Sequence, residues 1–406
     1  MARPSIRAIA IMAATALAGV ALAGVALAVP TGAARRPPTH AGPSGLAFYA
    51  PPKPLTSAEP GTLIWATPYD AKLSGTRAWR VLYHSRAVDG RDIAVSGVIV
   101  APVGKAPAAG RPVISWAHGT QGIADKCAPS RSRSYMSQHP AMRDLIRRGY
   151  VVVATDYEGL GTPGVHPYLV GESEGRGVLD IVRAAHQVQQ AGASSHVLVY
   201  GQSQGGQAAL FAGELAPTYA PDLDVLGVVA LAPVTEVNAM LPAAAMIPET
   251  LGFVVMGVIG LHAAYPDAKV SDVFTPAALT QSSVVQNKCA DGVLKTFQEP
   301  VAKVIANNPA DVAPFPQIMQ RDTAGLVKTS APLLVLQGLA DDIVYKTFTD
   351  MYVKRVCAIG DTVEYRTFSG VDHYGGVKAS KLDVLSWIDQ RLAGDAAPST
   401  CVAGSN

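Results

Sequence analysis

Ser203, Asp341 and His373 are the residues of this chain whose types, order and surroundings fit nucleophilic chemistry. Ser203 stands in Gly201-Gln202-Ser203-Gln204-Gly205-Gly206, after the apolar run Val197-Leu198-Val199 and before the helix-forming Gln207-Ala208-Ala209-Leu210-Phe211-Ala212. A Gly-x-Ser-x-Gly turn between strand and helix lifts the serine oxygen above the strand ends. Glycine is expected at 201 and 205 because a Cβ there would collide with the neighbouring strand and helix. The helix start also favours negative charge beside the serine. In a chain with 38 glycines the pentapeptide alone is also what an idle turn looks like. Its flanking strand and helix point to a nucleophile.

A serine hydroxyl attacks only when a histidine takes its proton, and the histidine needs a carboxylate to orient it. Behind such a turn the partners follow in the order Ser, Asp, His. Asp341 lies in Gln337-Gly338-Leu339-Ala340-Asp341-Asp342-Ile343-Val344, one turn past an apolar run. Asp342 is its rival, and either is also a residue type that caps helices. His373, in Gly370-Val371-Asp372-His373-Tyr374-Gly375-Gly376, alone among nine histidines has both the right order and a glycine-rich loop after the last strand. The negative oxygen formed in such a reaction needs two pre-aimed donors. The Gln204 N–H is one. The second is expected from Trp116-Ala117-His118-Gly119-Thr120-Gln121-Gly122, with Thr120 N–H as candidate and Gly119 or Gln121 as alternatives. His118 reads as shaping that turn. Gly159-Leu160-Gly161-Thr162-Pro163-Gly164 matches a dinucleotide fingerprint, with Asp180 at a tempting distance. Pro163 and Pro167 keep a helix from starting within it, so it reads as a rigid loop, and no cofactor is expected.

The elements that must position these residues alternate. Trp79–Tyr83 and Ile93–Val100 form a hairpin around Asp89-Gly90. Strands at Val113–Trp116, Tyr150–Thr155, Val197–Val199, Val225–Leu231, Leu333–Gln337 and Val363–Phe368 alternate with helices at Met142–Arg148, Gly177–Gln190, after Ser203, and at Leu382–Leu392. This pattern predicts the α/β class, with a mostly parallel central sheet, an antiparallel edge and helices on both faces. The alternation breaks from 234 to 329, which holds helical segments divided by prolines, including the apolar Leu251–Ala264. That stretch reads as a helical cap inserted into a core of residues 76–233 and 330–396. Residues 29–75 read as a proline- and glycine-rich arm without a core of its own, and 397–406 as a tail.

Arg3 and Arg7 followed by an uncharged run to Val29, with Ala26-Leu27-Ala28 as a cleavage site, predict a signal peptide over residues 1–28. An uncleaved membrane anchor is the alternative. Export makes Cys127, Cys289, Cys357 and Cys401 an even set in an oxidising compartment, so two disulfides are expected in one of three pairings. None has the spacing of a metal site, and no metal is expected. A net charge of +2 without a basic stripe argues against a nucleic-acid partner.

The chain resembles the secretory lipase family of α/β hydrolases, the lipase-A type of fungi and their actinobacterial relatives. The resemblance runs from Trp65 to Trp387 and is carried by Trp116-Ala117-His118-Gly119-Thr120, Thr155-Asp156-Tyr157-Glu158-Gly159-Leu160-Gly161, Gly201-Gln202-Ser203-Gln204-Gly205-Gly206 and Gly338-Leu339-Ala340-Asp341-Asp342-Ile343-Val344. It implies an α/β-hydrolase fold with a mostly helical cap, a Ser203-Asp341-His373 triad, and hydrolysis of acyl esters such as triacylglycerols without metal or cofactor. It also implies the pairings Cys127–Cys289 and Cys357–Cys401. The expected partner is a small-molecule or lipid ester, met at times at a lipid interface. A peptidase or acyltransferase on the same fold, or an inert cell-surface binding protein, are the competing readings. Peptidases often need a fixed charge to hold a substrate terminus, and none is apparent in the apolar insertion.

Overall fold

Nine strands of five to eleven residues build one sheet in the computed structural model, which describes residues 41–401. The predicted signal peptide, the first part of the arm and the last five residues of the tail lie outside the described residues. The strands are β1 (Leu63–Tyr69), β2 (Thr76–Arg86), β3 (Asp92–Pro102), β4 (Arg111–Ala117), β5 (Val151–Thr155), β6 (Ala193–Gln202), β7 (Asp224–Leu231), β8 (Leu333–Gly338) and β9 (Val363–Phe368). Their order is β1-β2-β3-β5-β4-β6-β7-β8-β9. The β1–β2, β2–β3 and β3–β5 pairings are antiparallel and the rest are parallel. The β2–β3 hairpin turns at Gly90, whose φ of +83° is the left-handed conformation glycine tolerates.

The helices are α1 (Met142–Arg147), α2 (Gly171–Gln187), α3 (Gln204–Tyr219), α4 (Val237–Ala244), α5 (Leu251–Ala264), α6 (Ala290–Phe297), α7 (Phe315–Arg321), α8 (Lys346–Ala358) and α9 (Lys381–Leu392), with shorter turns between them. Successive strand residues point to opposite faces. Val113, Val197 and Val199 therefore pack on one face with α2, α3 and α8, through Val178, Ile181, Ala208, Ala212 and Tyr352. Ile114, Leu198 and Tyr200 pack on the other face with α1, α9 and the insertion helices. Each such buried aliphatic side chain contributes roughly 1.5–3 kcal/mol.

Three elements differ from the sequence expectation. Helix α2 begins at Gly171, six residues before the expected start at Gly177. Its early glycines look like breakers but permit close packing: a Cβ at Gly171 would lie 2.2 Å from the Phe211 ring, and one at Gly175 would lie 2.9 Å from the Ala212 nitrogen. The end of the predicted arm is strand β1, and Phe48 and Tyr49 pack with Leu82 and Ala94 in a small core of their own. Helix α8 is an addition, supplying the crossover that parallel strands β8 and β9 require. Between β7 and β8 the chain is helical, with one isolated antiparallel bridge, Phe274 to Ile305. Disulfides join Cys127 to Cys289 and Cys357 to Cys401, and the first ties the loop after β4 to the start of α6.

Candidate active site

Strand β6 ends at Gln202 and α3 begins at Gln204, leaving Ser203 alone in the turn with φ +58° and ψ −121°. A non-glycine residue held there stores roughly 1–3 kcal/mol of strain. The surroundings enforce it. Ser203 N–H donates to the Leu231 carbonyl at 2.9 Å, and the Ser203 carbonyl accepts from Gln207 and Val234. A Cβ at Gly201 would lie 1.9 Å from the Gly205 oxygen, and one at Gly205 would lie 2.0 Å from the Ala117 oxygen. Both glycines are sterically required, as the motif predicts. Gln204 is the first residue of α3, so its N–H has no partner within the helix.

Asp341 sits just past β8 and is buried. Its Oδ1 accepts the N–H groups of Ile343 at 3.0 Å and Val344 at 2.8 Å, and its Oδ2 accepts from Gln337 Nε2 at 3.2 Å. The same Oδ2 lies 2.8 Å from His373 Nδ1. A carboxylate can only accept, so Nδ1 carries the proton and Nε2 is left free to act as a base. The rival Asp342 is exposed and takes no part in this contact. Ser203 and His373 line one cavity of about 340 Å³. Among the hydrogen bonds of the described residues, none joins the Ser203 hydroxyl to the imidazole; such bonds often tighten only when substrate is bound.

The loop after β4 lies against Ser203. A Cβ at Gly119 would sit 3.4 Å from the Gln202 oxygen and 3.6 Å from Ser203 Cβ. Thr120 lines the cavity, and its hydroxyl lies 2.8 Å from Tyr168 Oη. His118 is buried, with Nδ1 2.8 Å from the Gly119 carbonyl oxygen, and burial lowers its pKa to about 4. It shapes the loop.

No helix starts within Gly159–Gly164, and the Asp180 carboxylate is occupied by Ser85, Tyr219 and Arg183. Tyr157, at φ +72°, braces the β4 loop by donating to the His118 carbonyl at 3.0 Å.

Sequence reasoning missed Gln202, whose Nε2 donates to the His373 carbonyl at 2.9 Å and ties the His373 loop to the Ser203 turn. It also missed Gln337, which supports Asp341. Both stood inside quoted motifs at positions treated as free.

A family model described as secretory lipase matches residues 137–400. The chain belongs to the secretory lipase family. It is accordingly a secreted hydrolase of carboxylic esters. It is 26% identical over 388 residues to a secreted triacylglycerol lipase of Malassezia globosa, covering 88% of this chain and 83% of that one. It is 25% identical over 376 residues to a probable inactive lipase of Mycobacterium tuberculosis, covering 87% of this chain and 83% of that one. Among solved structures it superimposes on Candida antarctica lipase A in its closed state with a TM-score of 0.75 at 21% identity, covering 88% of this chain and 89% of that one. That likeness shows the α/β-hydrolase fold.

In this secretory lipase a second cavity, of about 120 Å³, meets the first at Ser203 and Thr120. Its walls are mostly apolar and include Val237, Met240, Leu241 and Ile247 of the insertion. The larger cavity is more polar. Asp291 of α6 and Lys378 line it, so the insertion does bring a fixed charge to the site, contrary to the sequence expectation. The apolar reading of the insertion came from α5; the acid enters on the separate helix α6.

Proposed function

We propose that Ser203, His373 and Asp341 hydrolyse esters, triacylglycerols among them, through an acyl-enzyme. His373 Nε2 takes the hydroxyl proton as Ser203 Oγ attacks the ester carbonyl, while Asp341 holds the imidazolium. The negative oxygen accepts from the N–H groups of Gln204 and Thr120. His373 then gives the proton to the leaving alcohol. Water attacks the acyl-enzyme by the same relay and releases the carboxylic acid. The observation that carries this reading is the 2.8 Å His373–Asp341 contact beside a serine forced into a left-handed turn.

Direction follows from the histidine. His373 lines the larger cavity and not the smaller one. The leaving alcohol must sit where His373 can protonate it, so the acyl chain occupies the narrow apolar arm and the alcohol the wider polar one. The exposed Met246, Ile247, Tyr345 and Tyr374, on the insertion and the loops beside the site, supply apolar surface for contact with a lipid interface. The Malassezia relative, a secreted triacylglycerol lipase, supports triacylglycerol as one substrate.

Ser203→Ala tests the reading. It should abolish release of p-nitrophenol from p-nitrophenyl butyrate by the purified, folded protein. Wild-type rates in that variant would defeat it, and no p-nitrophenol release by the unaltered protein would support the inert-protein reading that the mycobacterial relative's name raises.

A further inference from the structure

We propose that Glu174, acting with His166 and Tyr168, positions both donors of the oxyanion hole and so serves the reaction without touching substrate. The proposal rests on the reading of Gln204 and Thr120 given above.

The Gln204 side chain is gripped from two sides. Its Nε2 lies 2.8 Å from Glu174 Oε1 and 2.9 Å from His166 Nε2. His166 Nδ1 faces the Glu158 carbonyl oxygen at 2.8 Å. A carbonyl only accepts, so Nδ1 carries the proton and Nε2 is the acceptor. Burial lowers the His166 pKa to about 3, which keeps the ring neutral. The Gln204 amide must therefore donate to both neighbours and cannot turn over without losing both bonds. This fixes the side chain whose backbone N–H is the first donor.

The same short segment reaches the second donor. Glu174 Oε1 also accepts the Leu169 N–H at 3.1 Å, holding that residue at a left-handed φ of +65°. The neighbouring Tyr168 hydroxyl lies 2.8 Å from Thr120 Oγ1. Residues 166–174 thus touch Gln204 on one side and Thr120 on the other. Glu174 and His166 are fully buried, and Tyr168 is nearly so. Helix α5 leans on the segment, since a Cβ at Gly260 would lie 2.4 Å from the Tyr168 nitrogen.

Burial pushes the Glu174 pKa up to about 8, and its second oxygen is buried without a partner. The titratable groups facing it are His166, Asp322, Tyr157 and Tyr168, and none brings positive charge. The neutral acid places no negative charge behind the hole. The ionised form would oppose an oxyanion forming in front of it.

Active-site titration with a fluorophosphonate counts competent sites, so misfolded protein does not enter the rates. Glu174→Ala should lower kcat per titrated site about tenfold or more while KM stays within about twofold. Its affinity for a trifluoromethyl ketone should fall in the same proportion, because that ligand mimics the oxyanion. Glu174→Gln keeps an acceptor oxygen; it should hold kcat within about threefold of wild type and lose the decline in kcat above about pH 8. Combining Glu174→Ala with Gln204→Ala should cost less than the two single losses together, since the Glu174–Gln204 contact is common to both. If Glu174→Ala does not fold, Tyr168→Phe, which keeps the ring that lines the narrow cavity and removes only the hydroxyl on Thr120, should show a smaller loss confined to kcat.

Unchanged kcat per site, a loss carried by KM, additive losses in the double variant, or a glutamine variant as impaired as the alanine one would each overturn the proposal. A wild-type protein in which Ser203 does not titrate at all would instead overturn the reading of the nucleophile, and this proposal with it.

Discussion

The sheet rim and the helical insertion build one site by different means. At the rim, Ser203, Asp341 and His373 are fixed by directional bonds and by glycines that no other residue can replace. In the insertion, α5 is held by non-directional packing: Gly252 against Leu294, Gly257 against Leu241 and Gly260 against Tyr168. Directional bonds fix reacting atoms to within a fraction of an ångström, which acyl transfer demands. Packing fixes only volume and shape. Substitutions at the rim should therefore change how fast any ester is cleaved, and substitutions in the insertion should change which ester is preferred.

The largest effect should come from the carboxylate. Asp341→Asn should lower kcat by about 10⁴-fold, because the amide donates to His373 and stabilises the wrong tautomer. Asp342→Asn should change kcat by less than about twofold, as an exposed surface substitution does. Steady-state rates on p-nitrophenyl butyrate check both, and equal losses in the two variants would break the contrast between rim residues.

A smaller and selective effect is expected in the insertion. Met240→Trp should fill the narrow arm and lower kcat/KM for p-nitrophenyl laurate about tenfold or more relative to p-nitrophenyl acetate. A uniform loss on both esters would mean that the acyl chain lies elsewhere.

The smallest effect is on stability against pH. Burial raises the pKa of Glu174 and Asp322 to about 8, of Glu214 to about 7 and of Asp180 to about 6. It lowers His118 to about 4 and both His139 and His166 to about 3. Below about pH 6.5 the unfolded chain takes up protons on these histidines that the folded chain refuses, so the histidines taken alone make the fold weaker in acid. In the alkaline direction the unfolded chain releases carboxyl protons that the folded chain keeps, so stability falls up to the folded-state values near pH 8. Between the carboxyls' ordinary values and about pH 6.5 the two sets oppose each other. Four acids against three histidines leave a gentle net fall there, so melting temperature should decline from about pH 5 and most steeply between about pH 6.5 and 8.5, where the histidines no longer offset the acids. A Tm that climbs through that alkaline range would contradict the assignment of these buried acids.

Much of the rim was legible in the sequence because it is local. Strand, turn and helix around Ser203 are adjacent in the chain, and the loops bearing Asp341 and His373 each directly follow a strand, the apolar Leu333–Gly338 and the β-rich Val363–Phe368. The rest depended on contacts between distant segments. Gly171 and Gly175 look like helix breakers until Phe211 and Ala212 are seen against them. Glu174 looks like an ordinary acid in the first turn of α2, yet it turns inward to Gln204, thirty residues on. The charge that Asp291 brings to the site depends on how α6 is tethered by Cys289. Periodicity reports which face is apolar; it does not report which polar residue a fold turns inward.

The rim's central claim is that Ser203 and His373 are one relay although no hydrogen bond joins them in this structure. The rate at which a fluorophosphonate labels the protein, mapped by mass spectrometry, tests it directly. Labelling should fall on Ser203 and slow about 10³-fold or more in His373→Ala. An undiminished rate in that variant, or a label on another serine, would contradict the account.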